Sequence, residues 1–386
     1  MPESEKAKQA ARQTVGSNEQ ALVGLSHRVH AHPELKFEET RSSEWTAGVL
    51  ADAGLTVDAG ICDLPTAFSC RIGTGSLHVA ICAEYDALPG IGHACGHNII
   101  AATAVGAGLA LAPLVDDLDL SISVIGTPAE EGGGGKVFML ERGAFAGVHA
   151  AMMVHPAPFE DLTPRVSAVA HFAVNYEGRE SHAAAAPYLG INAADALTVA
   201  QVSIGLLRQH FRAGDQVHGF VTHGGDAANI VPAHTDGLWM VRANTIAELG
   251  VIRPRVEHCF EAGALATGAQ LSMADVSPVY SHMEHDHSMV DLYRANAVAL
   301  GREPDDEHEM TFSTDMGNVS LEMPSIHPCI GIETGGAVNH QPAFAGACVN
   351  ASADRAVLEG SLALAWTAID LATGPLRKRL IAGRNR

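Results

Sequence analysis

The chain is poor in aromatic residues, 5% of 386, and poor in positive charge, with Lys+Arg 24 against Asp+Glu 44 for a net charge of −20. A field of that sign repels phosphate backbones and anionic headgroups, which argues against nucleic acid or a membrane surface as partner. It also makes any arginine at a site informative, because an anionic small molecule then needs a local cation. No basic N-terminal stretch leads into an apolar one, and the opening PESEKAKQAARQ is polar. Neither a signal peptide nor a transmembrane helix is read, and a cytoplasmic address is expected. CxxC spacing is missing too. The cysteines, Cys62, Cys70, Cys82, Cys95, Cys259, Cys329 and Cys348, are odd in number and scattered. That excludes a disulfide framework or zinc ribbon and marks most of them as small buried hydrophobes. What is plentiful is hydrophobic content, 47%, enough for a large core in two domains.

Residues 17–33 set Ser17 and Gln20 in capping-box spacing ahead of Leu22, Leu25 and Val29, and Pro33 stops the helical pattern. ETRSSEWTAGVLADAG predicts a second helix. FSCRIG and LHVAICAEYDAL predict strands, HNIIAATAVGAGLALAPL a helix of small residues, DLSISVIGTPAEE a strand, GKVFMLERGAF a helix and AAMMVHPAP a buried strand. Strand and helix alternating through short glycine-rich joints is the pattern of an open α/β sheet, mainly parallel. From about residue 166 the order becomes strand SAVAHFAVNYEG, helix NAADALTVAQVSIGLLRQHF, strands QVHGFVTHGG and HTDGLWMVRANT, helix AELGVIRPRVEHCFEAGALA and strand AQLSMADVSPVY. This βαββαβ order is ferredoxin-like. The expected architecture is an α/β domain over 1–165 and 282–386, interrupted by a ferredoxin-like domain over 166–281.

Three consecutive strands of the first domain end in donor-rich segments: EYD followed by HACGH, then PAEE, then VHP. Ligands of open α/β sheets collect at the carboxyl ends of the strands. Cys95, His97, Glu130, Glu131 and His155 are therefore expected in one crevice, although they are far apart in sequence. Thiolate, imidazole and carboxylate together suit zinc, with manganese or cobalt as alternatives. Adjacent glutamates invite a division of labour, one binding metal and the other acting as general base toward a water whose pKa a cation lowers to about 7. On spacing alone, Glu130 or Glu131 could do either, and the implied reaction is hydrolysis. A nucleotide loop fails in detail. GIGHACG carries Cys95 where the dinucleotide fingerprint requires its third glycine, and GGGGK lacks the phosphate-loop spacing.

Other histidines read differently. SHMEHDH, residues 281–287, stands at the inferred domain joint and is expected to be a solvated linker. His27, His30 and His32 are expected to be surface or packing residues of the first helix.

EYDALPGIGHACGHN, GTPAEEGGGGK, MMVHP, GRESHAAAAPYLGINAADA, NIVPAHTDGLWMVRA, STDMGNVS and NHQPAFA follow one another across almost the whole chain. Together they resemble peptidase family M20, the aminoacylase and carboxypeptidase superfamily of zinc metallopeptidases, in its amidohydrolase branch of aminoacylases, aminobenzoyl-glutamate hydrolases and β-alanyl dipeptidases. The resemblance implies two divalent ions held by Cys95, His97, Glu131, His155 and His340, with Glu130 as general base. Asp86 stands where the wider superfamily has the aspartate of its HxD motif, and Glu84 occupies the histidine position. The inserted domain is by resemblance a lid and dimerisation domain, with His182 reaching the scissile carbonyl across a homodimer and Asn229 and Arg242 holding a substrate carboxylate. The implied activity is cleavage of the amide of an N-acyl amino acid, an aminobenzoyl-glutamate or a small dipeptide. The rivals are a deaminase on the same scaffold and a binding protein without catalysis.

Overall fold

The computed structural model describes residues 2–305 and 311–383. The chain divides into two compact units, Met1–Arg165 with Met283–Arg386, and Val166–His282.

Continuous apolar runs decide the centre of the first unit. LHVAICA and LSISVIG form strands Leu77–Ala83 and Leu120–Gly126, buried at every residue. They pair in parallel from Leu77 opposite Leu120 to Ala83 opposite Gly126. Burial on both faces is what a parallel sheet between helix layers demands. The sheet runs Asp58–Ala59, Phe68–Ile72, Leu120–Gly126, Leu77–Ala83, Ala150–Met152, Ser325–Ile326. Its first two pairings are antiparallel and the rest parallel. Truncating a side chain here, Ile122→Ala for instance, costs about 2–5 kcal/mol through lost transfer energy and the cavity left behind.

Helix His97–Leu111, buried along its whole length, lies against helix Ala351–Thr373. Alanines, glycines and a threonine keep its girth small enough for that position. Both helices are long and apolar enough by composition to cross a membrane, but 83% and 78% of their windows are buried inside the protein, which makes them core helices.

Two local expectations need correction. Ser17 does not open a helix. It ends helix Glu3–Ser17, and its hydroxyl donates to the Gln13 carbonyl at 2.8 Å. The next helix, Glu19–Ala31, starts after Asn18. The reason is the stripe Ala7, Ala11 and Val15, which is buried and makes the otherwise polar opening helical. AAMMVHPAP is not one strand. Ala150–Met152 stays in the large sheet, while His155–Ala157 leaves it to pair with Cys329–Gly331.

The second unit is a four-stranded antiparallel sheet in the order Gln270–Asp275, Ala168–Glu177, His234–Ala243, Gln216–His223. Helices Ala193–Leu207 and Ile246–Thr267 connect the strands in βαββαβ order. Period-two alternation sends Phe172, Val174, Tyr176, Trp239 and Val241 into a core with Phe260. Trp239 and Phe260 meet edge to face at 5.1 Å. Asn192 and Thr245 cap the two helices by accepting backbone N–H bonds.

Candidate metal centre

The centre lies in the first unit, where segments that follow the parallel strands converge. Cys95 and His97 flank Gly96, whose φ of 82° is left-handed and whose missing Cβ would stand 2.4 Å from Pro156 Cγ. Only glycine meets both demands, and helix His97–Leu111 starts directly after it. Glu130 and Glu131 follow strand Leu120–Gly126 on a loop that turns at Ala129, a non-glycine residue with φ of 60°. Gly135 closes the loop, because a Cβ there would sit 1.9 Å from the Pro128 carbonyl oxygen. His155 opens the short strand that leaves the sheet. His340 sits at φ 69°, its backbone N–H donating to Ala94 O at 2.8 Å.

Among the described residues, donor atoms that could hold a cation fall into three groups: Cys95, His97 and His155; Cys95, Glu131 and His340; and Glu84, His97 and Glu130, each within 4.8 Å. The first two share Cys95. Its Sγ is 3.4 Å from His155 Nε2 and 3.6 Å from His340 Nε2. His340 Nε2 is 3.7 Å from Glu131 Oε1. His97 Nε2 faces Glu84 Oε2 at 3.6 Å, Glu130 Oε2 at 3.8 Å and Glu131 Oε1 at 4.0 Å. The structure thus brings together Cys95, His97, Glu130, Glu131, His155 and His340.

The imidazoles are oriented from behind. Asp86 accepts from His97 Nδ1 at 3.0 Å through one oxygen and from the Glu131 backbone N–H at 2.8 Å through the other. His155 turns Nδ1 to the Pro156 carbonyl at 2.9 Å. In both rings Nε2 is left pointing at the donor cluster, the arrangement that fixes a metal-binding tautomer. His97 Nε2, Glu84 Oε2 and Glu131 Oε1 are buried with no hydrogen-bond partner among the described residues. Buried polar atoms without partners are costly, so this donor set fits divalent cations.

The electrostatics agree. Burial, then the Glu84 and Glu131 charges, push the Glu130 carboxyl well up, and burial likewise raises Glu131. Burial raises the Cys95 thiol, with the Glu131 charge adding to it. Burial pushes His155 well down and so keeps it neutral, the form that donates a lone pair. Burial opposes a charge on His97, but the adjacent Asp86 carboxylate overrides it and raises the group. Acidic groups crowded this closely call for added positive charge.

Sequence reasoning missed four neighbours. Lys136 is fully buried, its ammonium donating to Glu84 and, at 2.7 Å, to Asp315 Oδ1. These carboxylates override burial and hold its pKa up. His327 is fully buried and stacks on His155 at 5.4 Å between centroids, and burial pushes it down to about 3. Glu39 is the fourth. The only signal for Lys136 was a lysine opening the apolar stretch VFML. For the others the signal is as weak: Asp315 lies in STDMGNVS, quoted above for the family resemblance alone, His327 lies in a segment given no site role, and Glu39 opens ETRSSEWTAGVLADAG, read above only as a helix.

His182, Asn229 and Arg242 belong to the second unit. His182 is exposed, and its Nδ1 accepts the N–H groups of Ala184 and Ala185 at 3.2 and 3.1 Å. Asn229 lies beside it, its carbonyl accepting from Ala183 N at 3.0 Å. Arg242 projects from strand His234–Ala243, half-buried, opposite Val169 and Gln216. The SHMEHDH run is not a solvated linker. Ser281 and Met283 are buried, and Asp286 caps helix His287–Ala299, accepting from Met289 N at 3.1 Å. Its histidines join none of the donor groups found among the described residues. His27 pairs with Asp354 at 2.7 Å, His30 with the Ala345 carbonyl at 2.7 Å, and His32 packs edge-on against Trp45, all packing roles.

A mainly parallel α/β sheet whose strand ends gather a Cys/His/Glu donor set around a shielded glutamate defines the class of metal-binding hydrolases. The match to the family description Peptidase family M20/M25/M40 over residues 80–357 completes the assignment, and the chain belongs to that family. It is a hydrolase acting on amide bonds. Among curated relatives it is 35% identical to the Xaa-Arg dipeptidase of Mus musculus, covering 97% of this chain and 90% of that one. It is 32% identical to a p-aminobenzoyl-glutamate hydrolase polypeptide of Escherichia coli over 66% of this chain and 57% of that one. Among solved structures, a Bacillus subtilis protein described as a dinuclear metal binding peptidase of the M20 family aligns with TM-score 0.70 at 20% identity, covering 92% of this chain and 99% of that one.

Proposed function

We propose that Cys95, His97, Glu131, His155 and His340 hold two divalent ions, zinc foremost with manganese or cobalt as alternatives, and that Glu130 moves the proton in hydrolysis of a small dipeptide. The observation that carries this reading is the pair of donor triplets sharing one thiol, with Glu130 beside them. Bound divalent ions would supply a water acidified to about pKa 7 and polarise the substrate carbonyl. The residues do the rest. Asp86 orients His97 and, through the Glu131 backbone, the carboxylate loop. Glu130, its proton affinity raised by burial, accepts the proton of the attacking water and passes it to the leaving nitrogen.

The substrate proposed first is a dipeptide ending in arginine. Support comes from the relative matched over 97% of the chain and from the acidic balance of the sequence, which favours a cationic partner. Arg242 and Asn229 are proposed to hold the terminal carboxylate, and His182 to donate to the carbonyl oxygen across a homodimer. The dimer is supported by the second unit's edge strand Gln216–His223, paired on one side, which exposes Phe220 and Val221. A cytoplasmic setting is part of the proposal, supported by seven unpaired cysteines, one of them in the donor set.

The test is Glu130→Gln assayed on Ala-Arg alongside p-aminobenzoyl-glutamate in zinc-, manganese- or cobalt-supplemented protein. Turnover should fall by about 1,000-fold with metal content unchanged. Turnover within a few-fold of wild type would overturn the base assignment. Release of ammonia in place of two amino acids would favour the deaminase.

A further inference from the structure

Three buried carboxylates hold the loop that carries Glu130 and Glu131. The backbone N–H of Ala129 donates to Glu39 Oε1 at 2.8 Å, that of Glu131 to Asp86 Oδ2 at 2.8 Å, and that of Lys136 to Asp315 Oδ2 at 2.9 Å. Asp86 and Asp315 also serve the centre directly, through His97 and Lys136. Glu39 comes from the other side, from the turn between helices Glu19–Ala31 and Thr40–Asp52, and its hydrogen bonds go to Phe37, Thr66 and Ala129 rather than to the donor cluster.

Its placement is unusual for its position in the chain. Glu39 immediately precedes helix Thr40–Asp52, where a carboxylate ordinarily caps its own helix, yet it makes no such bond. Glu34 does that work, accepting from the N–H groups of Arg41 at 3.3 Å and Ser42 at 2.8 Å. Glu39 instead points inward and is fully buried. Its Oε1 accepts from Phe37 N at 2.8 Å as well as Ala129 N, and its Oε2 accepts from Thr66 Oγ1 at 3.0 Å. The Thr66 carbonyl in turn takes the hydroxyl of Tyr85, between Glu84 and Asp86.

The two backbone donors share a further property. Phe37 and Ala129 have φ of 62° and 60°, a left-handed conformation that disfavours side chains. Such residues persist where their surroundings over-determine them. One carboxylate oxygen bonds both. Burying a carboxylate is costly, and burial, with the Asp86 charge adding to it, pushes this group up to about 7. The donors from three segments offset that cost only in this geometry.

We propose that Glu39 is a positioning residue for the hydrolysis: by fixing the backbone of Ala129 it sets the aim of Glu130 and Glu131 at the donor cluster. This rests on the reading that Glu130 moves the proton, and the test separates the two. Glu39→Ala, Glu39→Gln and Glu39→Asp are compared in the full-length protein by steady-state kinetics on Ala-Arg and by hydrogen exchange of the peptide spanning residues 127–133 without substrate. Glutamine keeps a carbonyl acceptor at the same reach, and Thr66 can turn its hydroxyl to accept from the amide. Aspartate keeps the charge but falls one methylene short.

Glu39→Ala should lower kcat about 100-fold with KM within about threefold, the loss that a displacement near 1 Å produces. Exchange of 127–133 should accelerate while the strand Leu77–Ala83 keeps its protection. Glu39→Gln should restore both readouts to near wild type, and Glu39→Asp should stay impaired. Should Glu39→Ala fail to fold, the glutamine and aspartate variants carry the same comparison. Unchanged kcat and exchange in Glu39→Ala, or an active Glu39→Asp beside an inactive Glu39→Gln, would overturn the proposal. An opened loop in Glu39→Ala together with an active Glu130→Gln would retain the clamp and remove the base assignment.

Discussion

Two histidines, one from each unit, are presented in opposite ways. In the first, His97 is fully buried and a buried carboxylate, Asp86, holds its Nδ1 at 3.0 Å. In the second, His182 is exposed and two backbone amides hold its Nδ1 at 3.2 and 3.1 Å. A carboxylate behind an imidazole raises its basicity and suits it to ligate a cation. Amides behind an imidazole fix the neutral tautomer that carries hydrogen on Nε2 and suit it to donate to an oxygen. The contrast extends to the surroundings. The first unit uses buried carboxylates to set loop geometry, whereas in the second His182 stands on an exposed turn and Arg242 on a strand of the antiparallel sheet.

Within the second unit, removing the exposed histidine should do the most damage to turnover. His182→Ala should lower kcat on Ala-Arg by about 100-fold, the size of one lost oxyanion donor, without changing metal content. Mixing it with Glu130→Gln under confirmed exchange of protomers should recover part of the activity through hybrid sites. No recovery would place the donor and the base in the same chain.

Arg242→Ala should act next in size. KM for carboxylate-bearing amides should rise about tenfold, while amides blocked at the carboxylate change little, as expected when one charged hydrogen-bonding partner is lost. Equal losses on both would remove the carboxylate role.

A last prediction concerns stability and tests the electrostatic half of the contrast away from the centre. His78 is buried between Ser123 and the Gly147 carbonyl, and burial, with Arg71 adding to it, lowers its pKa to about 4. Its unfolded value is near 6.5, so between about pH 6.5 and 4 the unfolded chain binds more protons than the folded one. The stability that neutral His78 contributes is present above that window and is lost as the pH falls through it. His78→Gln should flatten this part of a urea-denaturation pH profile by about 3 kcal/mol. An unchanged slope would mean that the ring protonates in place.

Much of this was legible in the sequence, for identifiable reasons. LHVAICA and LSISVIG read as strands of a mainly parallel sheet, and alternation in AHFAVNYE and GLWMVRA marked the strands of the second unit. Donor residues after successive strands announced the crevice, because strand direction fixes where strand ends meet. Polar residues that act on backbone were not legible. Glu39 and Asp315 sit in segments whose composition suits solvent, and their burial depends on N–H groups supplied by loops 90 and 179 positions away. Lys136 is likewise buried only because Glu84 and Asp315 arrive from distant strand ends. Ser17 misled because capping-box spacing outweighed a weak alanine stripe that tertiary packing favours.

Metal stoichiometry per chain, measured by elemental analysis after reconstitution and desalting in wild type and Cys95→Ala, decides whether the two donor triplets that share Cys95 would together hold two divalent cations. Two equivalents of divalent metal are expected in wild type, with a loss from both positions in the variant, whose circular dichroism stays native. Two tightly held equivalents in Cys95→Ala would contradict a centre built on the shared thiol.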